Sequence, residues 1–250
     1  MNQYKSSAEL KTQAKDLLDG HYGSAILAIF IYELIIYSVT MILNVFPAAN
    51  LLWMILYQVI AAVVSAILGV FNAGIALFFL KLHCRQFVSL SDIFYGFTHL
   101  SEKAVKVSSV HALLSFVCMT PYTILTQLTL RSQSPLYLSL MFLTAAAGLL
   151  IYMPISLGLA QSYYMLLDFP QYTAAEALRN SWRAMKGHKG RLFYLEVSFI
   201  PLMALCVLTC GIGFLWLIPY MNMTLAGFYL DLMNPQKISD DQSHNAYQRS

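Results

Sequence analysis

A chain of 250 residues that is 58% hydrophobic and only 11% charged cannot furnish the surface of a soluble domain, where about 25% of residues carry charge. Its net charge of +3 is too small for a nucleic-acid surface and suits anionic lipid headgroups instead. Fourteen of its fifteen Lys and Arg fall in segments that share one side of a membrane if the chain crosses six times, Arg131 being the exception. Cations are retained in the cytoplasm during insertion, so the asymmetry predicts both termini inside.

The chain opens with Ser6-x-x-Glu9 and then Leu10, Ala14, Leu17 and Leu18 at helical spacing. This is a capping box leading an amphipathic helix along the inner membrane surface. Its mixed charges and the long apolar run behind it are unlike a cleavable signal peptide. The first span, 24–46, carries Glu33 ten residues past Gly23, about 15 Å along the helix and near the midplane. A carboxylate there has to be neutral, paired or facing water. No Lys or Arg shares its depth, which leaves Tyr, Ser, Asn or His111 as partners.

A short outer loop at 47–50 leads to the second span, 51–81, with Ala61, Ser65, Gly69 and Ala73 four apart. Such a stripe lets another helix approach closely. This span and the fourth are too long to stand upright, and the predicted kink sites are 72–74 and Pro154. Pro121, Pro201 and Pro219 add further possible bends. Ser89-x-x-Asp92 begins the next inner segment as a shorter capping variant. The third span, 107–130, holds His111 close to the inner interface, read as a hydrogen-bonded structural histidine. An outer loop at 131–136 precedes the fourth span, 137–167, and Thr173-x-x-Glu176 opens a third surface helix.

Beyond it, Arg183, Lys186, Lys189 and Arg191 form a basic, lipid-facing turn at a helix C-terminus, where the dipole favours cations. The fifth span, 192–209, carries Glu196 within reach of Arg191 or Lys189. The stretch 211–213 marks a break, since one helix from 192 to 232 would run about 60 Å. The sixth span is 213–232, and a disordered cytoplasmic tail is expected over 236–250.

The elements recur. Residues 6–23 and 173–190 align without a gap and match at five positions of eighteen, against about one from average composition. The pattern Asn72-x-Gly74-x-Ala76-x-x-Phe79-x-x-Leu82 returns as Ser156-x-Gly158-x-Ala160-x-x-Tyr163-x-x-Leu166 and Asn222-x-Thr224-x-Ala226-x-x-Tyr229-x-x-Leu232. The fold class is therefore an all-α, six-span bundle in one membrane domain, 1–235. It reads as three repeats of surface helix plus two-span hairpin, about 1–82, 83–167 and 168–232. In that scheme Asn72, Ser156 and Asn222 share one depth, as interhelical glue or as a polar path with Glu33.

Catalytic constellations are missing: no H-E-x-x-H motif, no G-x-S-x-G elbow and no phosphate-binding glycine loop. Cys84, Cys118, Cys206 and Cys210 form neither a disulfide framework nor a metal set. No cofactor or metal is expected, and the chain is not read as an enzyme.

Glu176-Ala177-Leu178, Ser181, the run 185–189, Leu208-Thr209-x-Gly211-Ile212-Gly213, Pro219-Tyr220 and Phe228-Tyr229 resemble family 975 of the domains of unknown function. The opening run 7–11 with Ala14 and Gly20 is similar. The resemblance covers nearly the whole chain and implies a bacterial polytopic membrane protein without assigned catalytic residues. A looser likeness is to the membrane domain fused to some glycerophosphodiester phosphodiesterases, whose catalytic domain is absent from these residues. The expected role is a non-catalytic scaffold or accessory component of the bacterial cytoplasmic membrane, contacting lipids and other membrane proteins but no nucleic acid. The alternative is a small transporter or lipid-handling protein using Glu33 and the polar layer.

Overall fold

The computed structural model describes residues 4–44, 51–132 and 134–233, and among them every regular element is helical. The outer loop expected at 47–50 and the tail at 236–250 lie outside the described residues. In chain order the helices are α1 (Ser7–Leu18), α2 (Tyr22–Asn44), α3 (Leu51–Leu68) and α4 (Phe71–His83). A 3-10 turn (Leu90–Phe94) precedes α5 (Tyr95–His99), α6 (Ser101–Ser132), α7 (Pro135–Leu159) and α8 (Ser162–Asp168). The last are α9 (Ala174–Ala184), α10 (Lys189–Val197), α11 (Ile200–Leu208) and α12 (Phe214–Met233).

Five stretches are long and apolar enough to cross a membrane: Tyr22–Leu43, Ile55–His83, Ser101–Ser132, Pro135–Asp168 and Lys189–Leu208. They coincide with the first five expected spans, and the chain has the make-up of a membrane protein. The sixth expected span is α12, which falls outside that set. It carries Pro219, Asn222 and Asp231 and buries much of its length, including Met223, Thr224, Phe228 and Tyr229.

Both full capping boxes form. Ser6 and Thr173 each accept the N3 amide of their helix, and Glu9 and Glu176 reach back to the cap amide. The Ser89 box forms only by half. The Ser89 amide donates to Asp92 Oδ2 at 2.9 Å, while the Asp92 amide turns to the Ser89 carbonyl. The Ser89 hydroxyl accepts from the Ser91 amide and hydroxyl instead, so the serine half of the box is missing and a 3-10 turn stands in place of an α-helix.

The helices are interrupted at three places within the expected spans. Pro121 and Pro154 sit inside continuous helices. The break in the fourth span lies at 160–161, and the one in the second at 69–70. The fifth span is broken at 198–199, with Pro201 in the first turn of α11. A break exposes an unpaired N–H, and at Gln161 that N–H donates to Ser181 Oγ at 3.2 Å. The Ser181 hydroxyl in turn donates to the Gly158 carbonyl at 2.9 Å, so a side chain from α9 repairs the gap between α7 and α8.

The chain divides into two compact units: Met1–Ile31, Gly74–Ile93 and Gly190–Ser250 in one, Tyr32–Ala73 and Phe94–Lys189 in the other. In the first, α1 and α11 pack on α12. The buried face of α1 is Leu10, Ala14 and Leu18, as its spacing predicts. Gly227 of α12 makes room here, since a Cβ would stand 3.0 Å from His83 Nε2 and 3.8 Å from Leu10 Cδ2. Gly74 lies directly under the Ile93 and Asp92 carbonyls of the 3-10 turn, with no space for a Cβ.

In the second unit α6 packs between α3 and α7, and α9 rests on α6, α7 and α8. The small-residue stripe of α3 permits the approach it predicts, because a Cβ on Gly69 would fall 2.9 Å from Ser108 Cβ. Gly158 lies under the Trp182 ring of α9 with no space for a Cβ. Each of the three short surface elements therefore docks on a helix carrying the recurring polar-x-Gly/Thr-x-Ala pattern: the 3-10 turn on α4, α9 on α7, α1 on α12.

Candidate functional site

A polar cluster lies within the spans of the second unit. Tyr32 donates to Asn72 Oδ1 at 3.2 Å, and the Tyr163 hydroxyl lies near the Asn72 side chain. Tyr163 shares a hydrogen bond with Ser108 at 2.9 Å, while the Ser108 hydroxyl reaches the Ala104 carbonyl at 2.7 Å. The His111 ring stacks on Tyr163 with centroids 5.9 Å apart and planes 16° from parallel. Its Nε2 is buried and has no hydrogen-bond partner among the described residues. The cluster depends on two local features: the break at 160–161 sets the start of α8 and hence Tyr163, and Gly69 lets Ser108 approach α3.

Along the α3–α6 seam lies a small cavity of about 120 Å³, lined by Gln58, Ser65, Ser115 and Thr120 among others. Gln58 donates across this seam to Thr123 at 2.7 Å. Amide and hydroxyl groups there can hold a small neutral or weakly charged polar group; the residues lining the cavity include no formal charge.

Of the four residues expected to share a polar site, Asn72 alone makes a side-chain bridge to other helices. Ser156 donates to the Met153 carbonyl of its own helix at 3.2 Å, and Asn222 to the Ile218 carbonyl of its own at 3.0 Å. Glu33 is exposed on α2, and its neighbour Tyr32 takes the inward position instead. His111, expected to be hydrogen-bonded, is held by ring stacking with one nitrogen unsatisfied.

Arg183 in the last turn of α9 and Lys186 just beyond it are exposed. Lys189 is half-buried: its ammonium lies 3.4 Å over the Trp182 ring and donates to the Pro154 carbonyl at 2.9 Å. The Arg191 side chain, by contrast, is turned inward and mostly covered. Its guanidinium pairs with Asp231, donates to the Lys5 carbonyl at 2.8 Å, and stacks on Tyr4 and Phe228. The side chains are 19% and 1% exposed. Asp231 also accepts from the Lys5 amide at 3.3 Å. Lys189 and Arg191 are thus occupied, and the pairing expected for Glu196 does not form. Asp231 went unremarked in the sequence, though it is the one acid in 213–232, and an acid in an apolar helix calls for a cation.

Outside the spans, burial pushes the Lys11 ammonium down from its ordinary pKa. It donates to the Ser198 carbonyl at 2.8 Å and lies 4.0 Å over Phe199. The cap hydrogen bonds hold Glu9 and Glu176 below the usual carboxylate range.

No curated protein and no solved structure matches this chain. A family described as "Protein of unknown function (DUF975)" matches residues 1–236. The chain belongs to that family, as its sequence resemblance anticipates.

Proposed function

We propose that the protein is a non-catalytic component of the bacterial cytoplasmic membrane, a scaffold or accessory protein working through contacts with lipids and membrane partners. The observation that carries this reading is how its polar groups are divided. Within the spans Tyr32 bonds Asn72 and Tyr163 bonds Ser108, whereas Arg183 and Lys186 stand exposed near Trp182 at the end of an interfacial helix. Cations flanked by an interfacial aromatic suit anionic headgroups. In this reading α12 is the sixth span, both termini are cytoplasmic, and the chain is a threefold repeat. Support for the repeat comes from the three surface elements, each docked on a helix bearing the same pattern.

The reading is tested by reconstituting the full chain and its Arg183→Glu/Lys186→Glu variant in vesicles with and without phosphatidylglycerol. Protease protection of α9 by anionic lipid is expected in the parent and lost in the variant. Equal protection in both, or none in either, contradicts it. A second reading, transport or handling of a small polar solute, is favoured by the unsatisfied His111 Nε2 beside the α3–α6 seam. It predicts that Asn72→Leu abolishes flux while Glu33→Gln tests whether the exposed carboxylate takes part. A phenotype unchanged by both substitutions speaks against it.

A further inference from the structure

The first unit holds a larger hollow that none of these roles uses. It is a groove of about 440 Å³ along α11 and α12, walled chiefly by Leu202, Leu205, Leu217 and Trp216. One end is closed where the two helices meet, since a Cβ on Gly213 would stand 2.7 Å from Cys206 Sγ. The other end reaches α1 and the start of α2, where Lys15 and Tyr22 line it. The walls are apolar and the mouth is cationic.

Lys15 is exposed and forms no ion pair among the described residues. One turn earlier on α1, Lys11 faces the same helices, and its ammonium is met by the Ser198 carbonyl, so no carboxylate neutralises it there. The nearby acids Asp16 and Asp19 line a separate hollow with His21 and Arg85. A free anion would find nothing to hold it along leucine and tryptophan. A neutral hydrocarbon would not need the cation. An amphiphile with an acyl chain and a phosphate diester at one end matches both.

We infer that the groove seats one acyl chain of an anionic glycerophospholipid, with the phosphate at Lys15 and the chain between α11 and α12. This rests on the reading of the protein as a lipid-contacting membrane component and names the site of that contact.

The test is native mass spectrometry of the full chain in mild detergent, titrated with phosphatidylglycerol, phosphatidylcholine or glycerol 3-phosphate. One phosphatidylglycerol is expected to be retained roughly fivefold more tightly than phosphatidylcholine, the equivalent of about 1 kcal/mol for one cation near a membrane surface. Lys15→Gln is expected to remove that preference. Leu205→Trp, at a side that is already exposed, fills the groove and weakens both lipids. Should it fail to fold, Leu202→Trp fills the groove from the preceding turn. Glycerol 3-phosphate alone is expected not to bind; its binding as tightly as the lipid overturns the acyl-chain assignment. Phosphatidylglycerol bound by Lys15→Gln and the tryptophan variants as by the parent overturns the site but leaves lipid contact standing. Parent protein retaining neither lipid overturns both.

Discussion

At Asp231 one carboxylate gathers three parts of the chain: the guanidinium from the start of α10, the amide of Lys5 ahead of α1, and its own helix α12. With the acid 1% and the arginine 19% exposed, removing either partner leaves an uncompensated buried charge, which costs about 3–5 kcal/mol. Asp231→Ala is therefore expected to lower the unfolding midpoint in detergent sharply. A double variant, Arg191→Met/Asp231→Leu, is expected to recover much of the loss, because apolar replacement of both partners removes the desolvation penalty. Equal stability of Asp231→Ala and the parent contradicts the pair. Gly74 makes a comparable demand through shape alone. A methyl group there collides with the Ile93 carbonyl, and backbone cannot move aside as a side-chain tip does. Gly74→Ala is expected to abolish the fold of this region. Gly190→Ala, with nothing within 4 Å of its Cβ, is expected to leave it intact.

The residue-level outcome shows what a sequence can and cannot reveal. Leu10, Ala14 and Leu18 announce their buried face because helical periodicity is a local property. The pairing of Arg191 with Asp231 spans forty positions and depends on which helices become neighbours, so proximity in sequence pointed to Glu196. Asn72 was legible as a polar residue deep in an apolar run. Its partner Tyr32 was not, since tyrosines in spans are common and a hydroxyl's partner has no local signature.

Among the elements, α1 and α9 are the ones whose stability is set by their ends. Their capping boxes satisfy amides that a helix start leaves unpaired. Thr173→Ala is expected to cost about 1 kcal/mol, read as faster amide exchange in the first turn of α9. The caps also carry a pH dependence. Glu9 and Glu176 have carboxyls held below the ordinary value of 4.5, so each stabilises the folded form most fully at pH above that value. The contribution is lost as pH falls from about 4.5 through the lower folded value. The protection of amides in both first turns, taken relative to their intrinsic exchange at each pH, is expected to fall over that range and to be flat from pH 6 to 8. In a Glu176→Gln variant the acid-dependent change should vanish from α9 while persisting in α1. The half-formed box at Ser89 fits the same logic: the acid reaches back, the Ser89 hydroxyl is taken by Ser91, and a 3-10 turn stands where a helix was expected. Helix breaks were harder to read. The chain parts at 160–161, where Ser181 from a distant helix supplies the acceptor that makes an interruption tolerable.

For the whole molecule, the account joins a cationic face, apolar spans and surface helices docked on their neighbours. The strength of the amphipathic and apolar patterns made the helices legible, and five of six expected spans meet the length and apolarity of membrane helices. The sixth is weaker because α12 carries an aspartate, an asparagine and an internal proline, and of these Asp231 holds Arg191 of α10 and the Lys5 amide ahead of α1. The proposed orientation of these helices in a bilayer rests on Arg131 standing apart from the other cations in the sequence. The most direct test is a set of reporter fusions in a bacterial host, with alkaline phosphatase active only outside and a fluorescent protein only inside. The account predicts fluorescence for fusions after 99, 184 and 250, and phosphatase activity for a fusion after Arg131. Phosphatase activity at 184 or 250 contradicts it.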